Sequence, residues 1–184
     1  MKAHKTKELV LTALLIAIGI IIPVYFGFLR VILPPAFTAT LMSHVPIFIA
    51  MFISPWSALF TALGTTLGFA FAGLSPVVTA RAASHIIFAL IGAYMIKKRC
   101  SLANTGIVVT VIHALCEALT VYLFIKFGLM AAPEGSSIIN ASFYVVGIGT
   151  FIHSAIDYSI ACLIGAALAK AHIIPTLTSV WMNR

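Results

Sequence analysis

Apolar runs of about 20 residues recur along the whole chain, and they constrain its fold more than any other feature. One run, VVTARAASHIIFALIGAYMI at residues 77–96, is typical, although it also carries Arg81 and His85. A helix of about 20 residues spans the hydrocarbon core of a bilayer. With 62% hydrophobic and 8% charged residues, the 184-residue chain is too apolar for a soluble domain. We therefore predict an integral membrane protein with one domain, residues 1–184.

Six predicted transmembrane helices account for the apolar runs, with the ranges 9–28, 37–54, 56–72, 77–97, 104–126 and 142–171. We expect an all-α fold, because a membrane barrel needs short alternating strands that the sequence lacks. Residues that end helices lie between the runs: Pro34, Pro35, Pro55, Gly73, Pro76 and Pro133. The connections 28–37 and 128–140 are long enough to serve as lids.

The net charge of +7 follows the pattern of a topological signal rather than of a nucleic-acid-binding surface. Eight of the eleven basic residues lie in three segments: Lys2, Lys5 and Lys7 before the first run, Lys97, Lys98 and Arg99 between runs four and five, and Lys170 and Arg184 after the last. Positive charges favour the cytoplasmic side of a membrane. We expect both termini to be cytoplasmic and the two long connections to be extracellular.

Three pairs of ionisable residues stand four positions apart: Arg81 with His85, His113 with Glu117, and His153 with Asp157. Residues at this spacing project from one face of a helix, so three helices can direct these faces at a common interior. A charged side chain at the bilayer centre costs about 3 kcal/mol and therefore usually faces protein or water.

Two interpretations of the pairs remain open at the level of sequence. In the first, Arg81 pairs with Glu117 and His153 with Asp157, and the pairs serve only to hold helices together. In the second, they surround a cavity for a small solute, in which an arginine binds a carboxylate bidentately. The candidate solute-binding residues from this pattern are Arg81, His85, His44, Thr65, Thr66, Glu117 and His153.

A third interpretation takes the same spacing as a metal site. His113, Glu117, His153 and Asp157 are a plausible set of two nitrogen and two oxygen ligands on adjacent helices. Pairing explains this spacing equally well, so no metal is assigned.

No enzymatic motif is present. The chain lacks a GxSxG elbow, an HExxH zinc motif and a GxxxxGK[ST] phosphate loop, and its three cysteines form no CxxC pair. It therefore needs a partner or an ion gradient for active transport.

Small residues spaced four apart allow close helix packing, at Ala13 and Ala17, at Gly64 and Gly68, and at Ala89 and Ala93.

Six short helices in under 200 residues, a basic N-terminus and TALLIAIGI with Ala13 and Ala17 together resemble the substrate-binding S components of energy-coupling factor (ECF) vitamin transporters. The resemblance covers essentially the whole chain, and it implies Asn140 as an eighth candidate solute-binding residue. It implies a bacterial plasma-membrane protein that captures a vitamin from outside. It also implies that Ala13 and Ala17 contact a transmembrane coupling subunit, and that two ATPase subunits use the ATP, so that this chain needs no cofactor.

The segments SHVPIFIAMFISPWSALFTALGTTLGFAFAG and ARAASHIIFALIGAYMIKK are similar to the niacin branch of these S components. That similarity implies niacin as the solute, with Arg81 binding its carboxylate, His85 and His44 donating hydrogen bonds, and Thr65 and Thr66 lining the pocket floor. If Glu117 neutralises Arg81, a neutral ring such as pyridoxine or hydroxymethylpyrimidine fits better. Pantothenate also remains an alternative.

Overall fold

The computed structural model describes residues 2–33, 36–132 and 134–174. Its helices and strands are, in chain order, α1 Lys2–Tyr25, β1 Arg30–Leu33, β2 Phe37–Thr40, α2 Val45–Ile53, α3 Pro55–Phe71, α4 Pro76–Lys97, α5 Leu102–Lys126 and α6 Ile148–Lys170. A 3₁₀ turn, Gly27–Leu29, precedes β1, and a π-helical segment, Asn140–Gly147, runs directly into α6. The predicted turn residues Pro34, Pro35 and Pro133, and the predicted cytoplasmic residue Arg184, lie outside the described residues.

The prediction of an all-α fold was wrong at one place. Residues 30–40 form an antiparallel hairpin in which Arg30 pairs with Thr40 and Leu33 with Phe37. The predicted helix 37–54 was therefore wrong for its first eight residues, since α2 begins only at Val45. The sequence of residues 37–44, FTATLMSH, conceals this break, because it contains no proline or glycine and its phenylalanine and threonines suit a strand as well as a helix.

Four helices in the described part of the chain are long and apolar enough to cross a membrane: Lys5–Tyr25, Pro76–Lys97, Leu102–Lys126 and Asn140–Lys170. The last of these has 31 residues, which is more than the roughly 20 residues that one straight span needs. Helix α3 has 17 residues and α2 has nine. Nine residues extend about 14 Å, roughly half the thickness of the hydrocarbon core. The protein is thus a multi-pass membrane protein.

Helix α2 lies at the centre of the bundle. It packs against α1, α3, α4 and α6, and every residue from Val45 to Phe52 is buried. Phe48 stacks edge-on against Tyr158 of α6 and also contacts Phe88 of α4. A helix that is apolar on all sides belongs in a core. The short length of α2 is therefore tolerated, because protein rather than lipid surrounds its ends.

Close approach of α1 and α3 depends on Gly64 and Gly68. A Cβ atom added at Gly68 would lie 2.4 Å from Cγ1 of Ile20, and one at Gly64 would lie 2.7 Å from Cγ2 of Ile16. The GxxxG motif of α3 therefore receives the isoleucines of α1. Ala89 and Ala93 of α4 are also buried in the core.

The hairpin is held to the bundle by Phe37. Its ring is buried with Val121, Ile125, Ala141 and Val146 in a small cluster beside α5. A Cβ atom at Gly149 would lie 2.8 Å from the ring, so that glycine provides the space for it. Because β2 is fixed in this way, residues 38–44 run inward between the helices.

The start of α1 and the residues that follow α6 up to Ile174 lie at the end of the bundle opposite the hairpin. Lys7 Nζ donates to the backbone oxygen of His172 at 3.1 Å. Glu8 of α1 accepts hydrogen bonds from Ser54 and Ser57 at the turn between α2 and α3. The basic segments at Lys5–Lys7, Lys97–Arg99 and Lys170 therefore share one end of the bundle, hereafter the basic end.

Gly68→Val should lower the free energy of unfolding by about 1–3 kcal/mol, because the added methyl groups overpack against Ile20. Thermal unfolding in detergent measures this effect. Gly27→Ala is the matched control, since a Cβ atom at Gly27 meets nothing within 4 Å. Equal unfolding temperatures for the two variants would contradict the packing of α1 on α3.

Candidate functional site

Glu117 of α5 is the centre of a buried polar network. Its Oε2 accepts from Arg81 Nη2 at 2.7 Å and from Thr150 Oγ1 at 2.6 Å, while Oε1 lies 3.2 Å from His85 Nε2. Glu117 is 3% exposed and Arg81 7% exposed. An unpaired buried charge is costly, so this network stabilises both residues inside the bundle.

Asp157 of α6 organises a second network beside the first. Its Oδ1 accepts from the backbone N–H of Met42 at 2.8 Å, and Oδ2 accepts from the backbone N–H of His44 at 3.0 Å. His44 Nδ1 lies 3.2 Å and His153 Nε2 3.3 Å from the same Oδ2. Asp157 therefore holds, from a different helix, the turn that leads into α2.

The imidazole rings join the two networks. The rings of His44, His85 and His113 lie 4.5–4.7 Å apart, centroid to centroid, and the ring of His153 lies 4.9 Å from that of His44. His113 Nδ1 lies 3.0 Å from Ser154 Oγ. Four histidines and two carboxylates thus converge within the bundle, from α4, α5, α6 and the start of α2.

A cavity of about 100 Å³ opens onto these networks. The polar residues that line it are Arg30, Thr38, Thr40, Ser43, His44, Arg81, His85 and Glu117. Its apolar wall includes Phe69, Leu74 and Val78. Pockets for drug-sized ligands measure about 300–1,000 Å³, so this cavity suits a molecule with a single small ring. A second depression, about 330 Å³, shares Thr38, Val78 and Arg81 with it and lies under the hairpin.

The structure brings together five of the eight predicted solute-binding residues. Arg81, His85, His44 and Glu117 line the cavity, and His153 lies in the Asp157 network. The other three do not line this cavity. Thr65 and Thr66 donate to the backbone oxygens of Thr61 and Ala62 in their own helix, and Asn140 is exposed and bonded to Ser136 and Ser137.

Sequence reasoning missed Arg30, Ser43, Thr150 and Ser154. Arg30 lines the cavity from β1, within the connection 28–37 that was expected to be extracellular. Thr150 and Ser154 share one face of α6 with Asp157, at helical spacings of four and three. That periodicity was available in the sequence and could have identified both residues.

Two sets of residues have the geometry of metal ligands. In one set, ligand atoms of His44, His85, His113 and Glu117 all lie within 4.8 Å of one another, and in the other those of His44, His153 and Asp157 do. The set considered from sequence, His113, Glu117, His153 and Asp157, is divided between these two. Only His44, which sequence analysis left out of that set, belongs to both.

The predicted partner-interface residues lie apart from the cavity. Ala13 and Ala17 are both exposed on the outer face of α1. Ala13 also lines a groove with Trp56 and Phe60 of α3 near the basic end. This face is available to lipid or to another protein.

Fold and site together define a multi-pass membrane protein with a small polar cavity between its helices, an arrangement found in proteins that bind solutes within the membrane. The chain is 34% identical over 177 residues to the niacin transporter NiaX of Lactococcus lactis subsp. cremoris (strain MG1363). The aligned region covers 92% of this chain and 78% of NiaX. The chain belongs to the niacin branch of the S components of ECF transporters. No family model matches it, and no solved structure does.

Asp157→Ala should lower the free energy of unfolding by about 2–6 kcal/mol, because it leaves the buried N–H groups of Met42 and His44 without their acceptor. Asp157→Asn retains one carbonyl oxygen, so its free energy of unfolding should lie between those of Asp157→Ala and the wild type. Thermal unfolding in detergent checks this order, with the exposed Ser159→Ala of the same helix as control. A loss in Asp157→Ala no greater than in Ser159→Ala would contradict the role of Asp157 as the acceptor for this turn.

Proposed function

We propose that this chain is the solute-binding subunit of a niacin importer and that it binds nicotinate, the anionic form of niacin, in the cavity beside His44 and His85. The observation that carries the proposal is a one-ring cavity with two arginines in its lining. The related NiaX is named a niacin transporter, which supports the same solute. Capture within the membrane excludes water and strengthens a charged contact.

The carboxylate is held between Arg81 and Arg30. Arg81 directs Nη2 to Glu117 and to the backbone oxygen of Thr38, whereas its Nε has no hydrogen-bond partner among the described residues. Arg30 Nη2 donates to the backbone oxygen of Pro23 at 2.9 Å, and no carboxylate of the described chain forms an ion pair with it. Arg30 therefore offers the less neutralised positive charge of the two.

The remaining cavity residues position the ring. His44 and His85 present their imidazoles to the solute, and Glu117 and His153 hold neighbouring polar groups in place. Binding roles for Thr65, Thr66 and Asn140 stay predictions.

The hairpin covers the cavity, because Arg30, Thr38 and Thr40 belong to it. Movement of the hairpin would open the cavity, and residues 28–37 thus act as a lid. The connection 128–140 is the second lid, with Met130 beside Arg81 under the hairpin.

The basic end of the bundle is proposed to face the cytoplasm of a bacterial cell, with six membrane-crossing segments and both termini on that side. The cavity then opens outward. A transmembrane coupling subunit and two ATPase subunits complete the importer and use the ATP. Ala13 and Ala17, exposed on α1, form part of the contact with the coupling subunit.

One observation favours a second class of solute. Glu117 lies 2.7 Å from Arg81 and neutralises it, which suits an uncharged ring such as pyridoxine or hydroxymethylpyrimidine. Pantothenate is an anion, but it is longer than the single ring that the cavity accommodates. Competition among these vitamins distinguishes the candidates.

Arg30→Gln should weaken nicotinate binding by about 10- to 100-fold and leave nicotinamide binding nearly unchanged, because a hydrogen bond to a charged group contributes about 1.5–3 kcal/mol. Isothermal titration calorimetry of the purified chain in detergent measures both affinities. Lys98→Gln removes an exposed positive charge at the basic end and is the matched control.

Tighter binding of nicotinate than of pyridoxine, hydroxymethylpyrimidine and pantothenate supports the assignment of the solute. Tight binding of a neutral vitamer that Arg30→Gln does not affect would replace nicotinate with that vitamer. No binding of any of the four by the folded wild-type chain would overturn the function itself.

Ala13→Trp should reduce copurification with the coupling and ATPase subunits while leaving nicotinate affinity unchanged, because a large side chain blocks close helix approach at α1. Leu119→Trp, on an exposed part of α5, is the control. Equal recovery of the partner subunits with both variants would contradict a coupling surface at Ala13.

A further inference from the structure

The side chains of His44, His85, His113 and Glu117 are arranged as a metal site requires. Ion pairs and hydrogen bonds among these residues do not account for all of their buried polar atoms. His113 Nε2 is buried and has no hydrogen-bond partner among the residues that the structure describes. Buried polar atoms in folded proteins normally have partners, so each exception calls for an explanation. His113 Nε2 is the atom that faces Glu117, at 3.5 Å from Oε1.

Two of the six distances between ligand atoms in the set match the edges of a coordination tetrahedron, and all six are within 4.8 Å. Zinc binds histidine nitrogen and carboxylate oxygen at about 2.0–2.1 Å, which places neighbouring ligand atoms about 3.3–3.4 Å apart in a tetrahedron. His85 Nε2 lies 3.2 Å and His113 Nε2 3.5 Å from Glu117 Oε1. The ring of His44 lies 4.7 Å from that of His85 and 4.5 Å from that of His113, which completes a compact group of three imidazoles.

The second layer of hydrogen bonds orients these rings as metal ligands. Asp157 Oδ2 lies 3.2 Å from His44 Nδ1, and Ser154 Oγ lies 3.0 Å from His113 Nδ1. A ring that donates its Nδ1–H to such an acceptor keeps a lone pair on Nε2, the arrangement of histidines that bind metals. The two partners belong to α6, whereas the rings belong to the start of α2 and to α5.

We propose that His44, His85, His113 and Glu117 bind a divalent transition-metal ion of the zinc class in the cavity wall, and that this ion accepts the ring nitrogen of the solute. His44, His85 and Glu117 line the cavity, so a solute can reach an ion held between them. A pyridine nitrogen offers a lone pair like that of imidazole, and zinc expands its coordination from four to five. This second step rests on the proposed function, whereas the metal site does not.

Zinc binding is tested on the full chain in detergent, purified with an affinity tag that lacks histidine, stripped with a chelator and titrated with Zn²⁺ alone. One ion per chain is expected by elemental analysis. His113→Gln and His85→Gln should weaken zinc binding by about 10-fold or more, the size of effect seen when metal sites lose supporting groups. His172→Asn is the control, because this exposed histidine has a positive φ that asparagine tolerates.

The solute contact is tested with the wild-type chain only, so that folding of a variant does not matter. Nicotinate is compared with benzoate, which has the same carboxylate and ring shape but no ring nitrogen. With zinc present, nicotinate should bind at least about 10-fold more tightly than benzoate, and the chelator should remove this preference. Both affinities come from calorimetry before and after zinc is restored.

Each possible failure has a separate meaning. If the folded wild type retains no zinc and chelation leaves nicotinate affinity unchanged, the metal site is overturned and the proposed function stands. If zinc binds at one ion per chain but nicotinate binds in neither state, the proposed function is overturned. A preference for nicotinate over benzoate that chelation does not alter would overturn the contact between ion and ring nitrogen.

Discussion

The carboxylate of Asp157 accepts the two backbone hydrogen bonds that the chain cannot make for itself where it turns into α2. Met42 and His44 direct their N–H groups to this one side chain, deep inside the bundle. Within a membrane, irregular backbone is tolerated only where protein or an internal cavity satisfies it. The inward path of residues 38–44, the central position of α2 and the location of His44 in the cavity wall all follow from this contact.

Glu117 has the corresponding role for the side chains. It holds Arg81 and Thr150 through one oxygen and faces His85 and His113 through the other, so four residues from three helices share one carboxylate. A network of this kind fixes the rotamers of its members and pre-organises the adjacent cavity. Stability and the proposed binding are therefore coupled in this protein, because Arg81, His85 and Glu117, which hold one another inside the bundle, also line the cavity.

Helical periodicity was sufficient to predict much of this arrangement. The spacing of Arg81 with His85, His113 with Glu117 and His153 with Asp157 correctly indicated inward faces on α4, α5 and α6. Such spacing does not reveal which faces meet. In the structure, His153 contacts His44 and Asp157, whereas Glu117 faces His85 and His113. The hairpin could not be predicted, because residues 37–44 contain no proline or glycine that would end a helix, and its inward course depends on contacts of Phe37 and Asp157 with residues distant in sequence. Arg30 was left out of the candidate site because it belongs to the connection that was expected to be extracellular.

In the proposed binding mode, a small anionic ring lies between Arg30, Arg81 and the histidines of the cavity. An experimental structure of the chain in lipid nanodiscs with nicotinate is the decisive measurement. Density for the ring is expected in the cavity lined by Arg30, His44, Arg81 and His85, with its carboxylate beside the two arginines. A ring located elsewhere, for example in the groove between α1 and α3 near Trp56, would contradict it.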